Sequence, residues 1–197
     1  MLLPQSIRNY RLGLASQSPR RRELLGLLAV PFTVVDSIEV DETYPADLAP
    51  HDVPLYLSRL KADAYRRVMT DKDLFITADT VVIIDGRVLG KPRDTAEAKE
   101  MLRRLSGRTH EVVTGVSLFT LSHLESFRAV TRVEFGRLED DEIDAYVDEY
   151  RPLDKAGAYG IQEWIGAAGI KSIDGSFYNV MGLPVHRLWT ALKTFPA

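Results

Sequence analysis

The sequence predicts an α/β protein. An apolar run at residues 12–15 passes through Ser16-Gln17-Ser18-Pro19 into a segment with helical spacing. The run Leu74-Phe75-Ile76-Thr77-Ala78 reads as a buried strand, and the stretches 110–120 and 126–135, rich in Val, Thr and Phe, read as two long strands that pair antiparallel. Between these strands lie segments whose apolar residues recur every three or four positions.

Taken in order, the first helix opens at Ser18. A serine there accepts hydrogen bonds from first-turn amides, and Pro19 suits the first helical position, where its missing donor is not needed. Arg20, Arg21 and Arg22 follow at once, with Arg11 just upstream. Free amides and the positive end of the helix dipole favour an anion at such a place, and guanidinium groups fit phosphate oxygens two at a time. The plainer alternative is a capped helix with solvated arginines. Residues 32–35 read as a short strand, and an acidic, proline-containing loop runs to Pro54. Leu57, Leu60, Ala64 and Val68 then mark a helix over about 54–70, with Lys61 beside its apolar stripe.

Residues 74–78 and 81–84 read as two apolar runs interrupted by Asp79 and Thr80, and Asp85-Gly86 is a two-residue hairpin signal leading into 87–89. Asp79 is thus expected at a strand end, as a base or metal ligand or as an ordinary Asx turn. Asp94 with Glu97 forms a capping-box pattern, and Ala98, Met101, Leu102 and Leu105 give one apolar face before Ser106-Gly107. A helix over 140–150 follows the long strands. Five glycines in 155–175 argue against a helix and for a ligand loop. A last helix over 184–193 turns Leu188, Trp189 and Leu192 inward.

The chain of 197 residues is 45% hydrophobic and 27% charged, which suits a single sizeable core in one domain, or two tightly joined lobes, spanning 1–197. Its formal charge is -3, which argues against a general nucleic-acid coat. Charge is unevenly placed: residues 1–30 hold five arginines against one glutamate, whereas 36–52 hold six acidic residues and no Lys or Arg. Such asymmetry suits a site that handles phosphate together with a divalent cation. Cysteine is absent, which excludes disulfides, thiolate catalysis and cysteine-bound zinc. No apolar run nears the roughly 20 residues that span a bilayer, and no secretory signal is visible. A soluble cytoplasmic protein, with no membrane and no nucleic-acid partner, is expected.

Other candidate site residues are spread along the chain. Gly90-Lys91-Pro92 holds a lysine on a restricted loop, which lowers the entropic cost of a phosphate contact. Glu42 offers a second carboxylate for a magnesium site whose other oxygens come from substrate phosphates. Lys155-Ala156-Gly157-Ala158-Tyr159-Gly160-Ile161-Gln162 combines a cation, a pliant backbone, an aromatic and an amide. Gln162 carries both a donor and an acceptor, matching the mixed edge of uracil or thymine. Alternatively, Tyr159 packs and Gln162 only turns the chain.

Leu14-Ala15-Ser16 onward to Leu25 resembles the Ala-Ser-x-Ser-Pro-Arg-Arg signature of the Maf nucleotide pyrophosphatases. The resemblance continues through Ala78-Asp79-Thr80, Gly90-Lys91-Pro92, Leu105-Ser106-Gly107, 154–162, Gly175-Ser176 and Gly182-Leu183-Pro184. It implies a twisted mixed sheet with flanking helices, a cleft between two lobes and a fold shared with inosine triphosphatase-like enzymes. It also implies hydrolysis of a nucleoside triphosphate to the monophosphate and pyrophosphate, with Mg2+ or Mn2+ as cofactor and a homodimer as the assembly. Asp79 matches the family's proton acceptor, and Arg21, Glu42, Lys61 and Lys91 match its phosphate and metal positions. Arg20, Thr80 and Gln162 match the positions that separate enzymes acting on dTTP and UTP from those acting on 7-methyl-GTP, and all three resemble the former. Glu163-Trp164 depart from the pattern, in which glycine commonly follows the glutamine. The expected substrate ligands are therefore Ser16, Ser18, Arg20, Arg21, Lys61, Lys91 and Lys155, with Glu42 and Asp79 on the metal. The same chemistry on 7-methyl-GTP or other modified nucleotides, or a non-catalytic regulator of cell division that binds nucleotide or nucleic acid, are the alternatives.

Overall fold

A computed structural model describes residues 3–196. Its elements are β1 (Arg11–Leu14), α1 (Pro19–Gly26), β2 (Thr33–Val34), α2 (Val53–Tyr65), β3 (Asp73–Ile84), β4 (Arg87–Leu89) and α3 (Thr95–Leu105), then β5 (Thr109–Phe119), β6 (Leu124–Phe135), α4 (Asp140–Tyr150), α5 (Trp164–Gly169), β7 (Ile170–Asp174), α6 (Phe177–Met181) and α7 (Val185–Thr194). The strands form one mixed sheet in the order β2-β1-β3-β5-β6-β7, with β4 paired to β3. β1 runs parallel to both β2 and β3, with Gly13 opposite Thr33 and Phe75. β4 is antiparallel to β3, and β7 is antiparallel to β6. The architecture is the α/β class that the sequence predicts.

The chain forms two compact units. The first comprises Met1–Asp79, Thr114–Ala129 and Gly182–Ala197. Its core includes Ala15, Ala62, Tyr65, Phe75 and Phe119, where Phe75 and Phe119 meet edge to face at 6.2 Å. Helix α2 lies very close to β5, because a Cβ on Gly115 would stand 2.3 Å from the Pro54 carbonyl carbon. The second unit comprises Thr80–Val113 and Val130–Met181. Here α3 and α4 pack together, and Lys99 ties them through ion pairs to Asp144 at 3.0 Å and Asp148 at 3.3 Å. Three acidic residues, Asp140, Asp141 and Glu142, occupy the first turn of α4, where they complement the helix dipole.

Several elements differ from expectation. β3 is one strand of twelve residues, so Asp79 and Thr80 lie inside it and form no Asx turn. They are the two half-buried positions of an otherwise buried strand, and as consecutive residues they face opposite sides of it. Pairing with β1 and β4 extends the ladder on both sides of Asp79, which overrides the local turn tendency of Asp-Thr. The hairpin forms as expected, with Asp85 at φ 53° and Gly86 at φ 67°. Asp94 caps α3 by accepting the Glu97 amide at 2.8 Å, but the Glu97 carboxylate accepts the Arg93 amide rather than closing a reciprocal box. Helix α2 ends at Tyr65, followed by a 3-10 turn over Arg66–Val68. The glycine-rich stretch contains α5 and β7. Gly166 is admitted to α5 by space rather than propensity, since a Cβ there would lie 1.7 Å from the Ile161 carbonyl oxygen. Helix α6 has no counterpart in the sequence reading.

Candidate active site

The start of α1 is built as its sequence predicts. Ser18 caps the helix by accepting the Arg21 amide at 3.4 Å. Ser16 Oγ accepts the Ser18 amide at 3.3 Å and an Arg21 guanidinium N–H at 3.4 Å. Arg21 Nε also donates to the Gly182 carbonyl at 2.9 Å, so its guanidinium is held from two sides. Burial draws the Arg21 pKa below its ordinary value, with the Asp79 and Glu42 charges acting in the opposite direction and Arg20 reinforcing it. Arginine remains charged under such a shift. Arg22 points into solvent.

Lys61 joins the two candidate metal carboxylates. Its Nζ lies 2.8 Å from Glu42 Oε2 and 2.7 Å from Asp79 Oδ1. Lys61 and Asp79 are 14% and 13% exposed, whereas Glu42 is 50% exposed. The acidic loop, α2 and β3 thus deliver one group each to the same point.

A buried hydroxyl network beneath this point sets α2 against β3. Thr77 Oγ1 donates to the Ser58 carbonyl at 2.7 Å, and Ser58 Oγ donates to the Leu55 carbonyl at 2.8 Å. Ser58 and Ser117 hydroxyls lie 3.0 Å apart, as do those of Ser117 and Ser126. Thr77 shares a strand face with Asp79, and Ser58 lies about one helical turn before Lys61. The contact therefore fixes the spacing of the Lys61–Asp79 pair. These hydroxyl residues escaped the sequence reading, for which a buried Thr two positions before Asp79 is the only available signal.

The remaining candidates belong to the second unit. Thr80 is half-buried, and Lys91 and Gln162 are exposed. The Gly157 amide donates to the Gly90 carbonyl at 3.0 Å, tying the glycine-rich segment to the loop of Lys91. Lys155 pairs with Asp154 at 2.8 Å and Glu163 at 3.1 Å, so its ammonium is engaged by carboxylates. Tyr159 is buried, and its hydroxyl lies 2.7 Å from His110 Nε2. Burial lowers the His110 pKa to about 4 and raises that of Tyr159.

Among the described residues, no three His, Asp or Glu side chains gather as a metal site by themselves. Glu42 and Asp79 nevertheless converge on one ammonium, and this donor set fits a divalent ion that completes its shell with substrate phosphate oxygens. No helix among the described residues is long and apolar enough to cross a membrane.

The profile described as Maf-like protein matches residues 11–195. This chain belongs to that family. The match takes in the α1 start, the acidic loop, α2 and β3, which together hold the Maf-like chain's Arg21, Glu42, Lys61 and Asp79. The Maf-like chain is 56% identical over 184 residues to a dTTP/UTP pyrophosphatase of Bacteroides thetaiotaomicron, covering 93% of this chain and 95% of that one. It is 55% identical over 192 residues to a dTTP/UTP pyrophosphatase of Porphyromonas gingivalis, covering 96% of each. Among solved structures, a HAM1 protein from Coxiella burnetii aligns with TM-score 0.48 at 17% identity, over 93% of this chain and 98% of that one.

Proposed function

We propose that this Maf-like chain hydrolyses a nucleoside triphosphate, dTTP or UTP, to the monophosphate and pyrophosphate. The observation that carries the reading is the Glu42–Lys61–Asp79 group, with the anchored Arg21 electrostatically coupled to both carboxylates. The names of relatives more than half identical over nearly the whole chain support the same reaction and substrates.

In this mechanism Asp79 accepts a proton from a water whose oxygen attacks the α-phosphorus. The bond from that phosphorus to the bridging oxygen breaks, and pyrophosphate leaves with the bond electrons. Lys61 keeps Asp79 oriented, while Arg21, Lys61 and Lys91 balance charge that develops on the phosphate oxygens. Ser16 and Ser18 orient the phosphates at the α1 start. Glu42 and Asp79 would hold a divalent cation, Mg2+ or Mn2+, which neutralises phosphate charge when bound. Arg20, Thr80 and Gln162 select the pyrimidine. Lys155 belongs to the second unit's ion pairs in this scheme. The acidic net charge and lack of cysteine support free nucleotide as substrate and the cytoplasm as location, and a homodimer is the assembly in this reading.

Incubation with UTP and Mg2+ tests the reading directly. Pyrophosphate release is expected, and Asp79→Asn should lower turnover by roughly 100-fold to 10,000-fold, the usual contribution of a positioned base. Wild-type turnover in Asp79→Asn would remove Asp79 from its role. Binding without pyrophosphate release would favour a non-catalytic regulator, and preference for 7-methyl-GTP would overturn the pyrimidine assignment.

A further inference from the structure

In the second unit, one carboxylate outside the catalytic set organises the segment that carries Gln162. Glu163 Oε2 accepts a hydrogen bond from the Tyr146 hydroxyl, and that hydroxyl accepts the Gly160 amide at 3.0 Å. Glu163 Oε1 lies 3.1 Å from Lys155 Nζ, and the two side chains are 16% and 11% exposed. The carboxyl also lies against Gly160, where an added Cβ would come 2.7 Å from Glu163 Cδ. Main chain closes the same turn, because the Glu163 amide donates to the Gly160 carbonyl at 3.0 Å.

Residues 160 and 163 are thus joined by both backbone and side chain. Between them, Ile161 is buried and Gln162 is presented to solvent. Glu163 stands at the N-cap of α5, yet its side chain makes no capping hydrogen bond. Its oxygens turn instead toward Tyr146 and Lys155, so helix capping does not account for it. Tyr146 is a durable donor, since burial and Glu163 both raise its pKa. A largely desolvated carboxylate is costly unless paired and hydrogen-bonded, and here it has both kinds of partner.

We propose that Glu163 is a positioning residue for base selection: clamped by Tyr146 and Lys155, it fixes the 160–163 turn so that Gln162 meets the base from one direction. This rests on the reading that Gln162 contacts the base. A side-chain amide carries a donor and an acceptor, so on a mobile backbone it can satisfy the edge of uracil or cytosine alike. A fixed backbone under it sets the position from which the amide approaches and so restricts which base edge it can satisfy.

The test measures kcat and KM for UTP and CTP in the wild type, Glu163→Ala, Glu163→Gln and Tyr146→Phe, with Tm for each. Glu163→Ala and Tyr146→Phe should lower the UTP-over-CTP ratio of kcat/KM by roughly tenfold or more, chiefly through a higher KM for UTP with kcat little changed. Glu163→Gln keeps an acceptor for Tyr146 and should retain more of the ratio than Glu163→Ala. Tyr146→Phe decides the matter if Glu163→Ala does not fold. An unchanged ratio in a folded variant, a parallel loss with both nucleotides, or a wild type indifferent between UTP and CTP would overturn the proposal while leaving the hydrolase reading intact. A wild type that releases no pyrophosphate from UTP would remove both.

Discussion

His110 has little room for a proton. It is buried, touches Phe135 and Tyr159 edge to face at 5.1 and 5.4 Å, and its Nδ1 has no hydrogen-bond partner among the described residues. Burial sets its folded pKa at about 4, against an ordinary 6.5. Above pH 6.5 both folded and unfolded imidazoles are neutral and the group is indifferent to pH. As pH falls toward 4 the unfolded state takes up the proton first, so stability should drop, by up to about 3 kcal/mol at 1.4 kcal/mol per pH unit, and level off below that. Urea unfolding of wild type and His110→Gln across this range measures the difference, and the variant should show the shallower decline. At the same scale, Ser18, Arg20 and Arg21 were legible in the sequence because capping and local charge act over a few residues. The partner of Lys61 was not, because the contact joins a loop, a helix and a strand. The carboxylates around Lys155 were equally invisible as partners: the ammonium pairs with Asp154 beside it and with Glu163 eight residues on, which the glycine-rich neighbourhood does not announce.

At the scale of elements, the α2–β3 contact is where a small change should reach the chemistry. Thr77→Val keeps the shape of the side chain but removes the hydroxyl that donates to the Ser58 carbonyl. Such a loss costs about 1 kcal/mol of stability, and freedom of α2 against β3 would let the Lys61–Asp79 spacing drift. Misplacement by about 1 Å can cost up to about 100-fold, so kcat for UTP should fall further than the small drop in Tm suggests. Steady-state kinetics beside a thermal melt tests this, and a variant with native kcat would show that the hydroxyl only stabilises. Helices α3, α4 and α7 were readable because their apolar periodicity agrees with their packing. α5 was hidden by Gly166 and Gly169, whose low helix propensity is overridden by close approach to neighbouring groups. β3 was divided in two by the same kind of local rule, since ladder partners at both ends are invisible to a window of a few residues.

For the whole molecule, a triphosphate that binds only the folded chain must raise its melting temperature. At a ligand concentration 100 times Kd the gain is about 2.7 kcal/mol, equivalent to roughly 5 to 11 °C for a chain of this size. An analogue of UTP with a methylene in place of the α,β-bridging oxygen, added with Mg2+, should produce such a shift in a thermal melt. Asp79→Asn should preserve most of it if that carboxylate serves chemistry more than binding. The order of the sheet was beyond the sequence, because pairing of β1 with β3 joins residues about sixty apart and leaves no periodic trace.

The narrow gap at Gly115 carries a mechanical corollary. Even alanine there would press into the Pro54–Leu55 peptide and shove α2 outward, taking its lysine away from the carboxylates. One hydrogen atom in place of a methyl group therefore acts as a shim for the candidate site, and any side chain larger than glycine's at that position would have to displace the Pro54–Leu55 peptide.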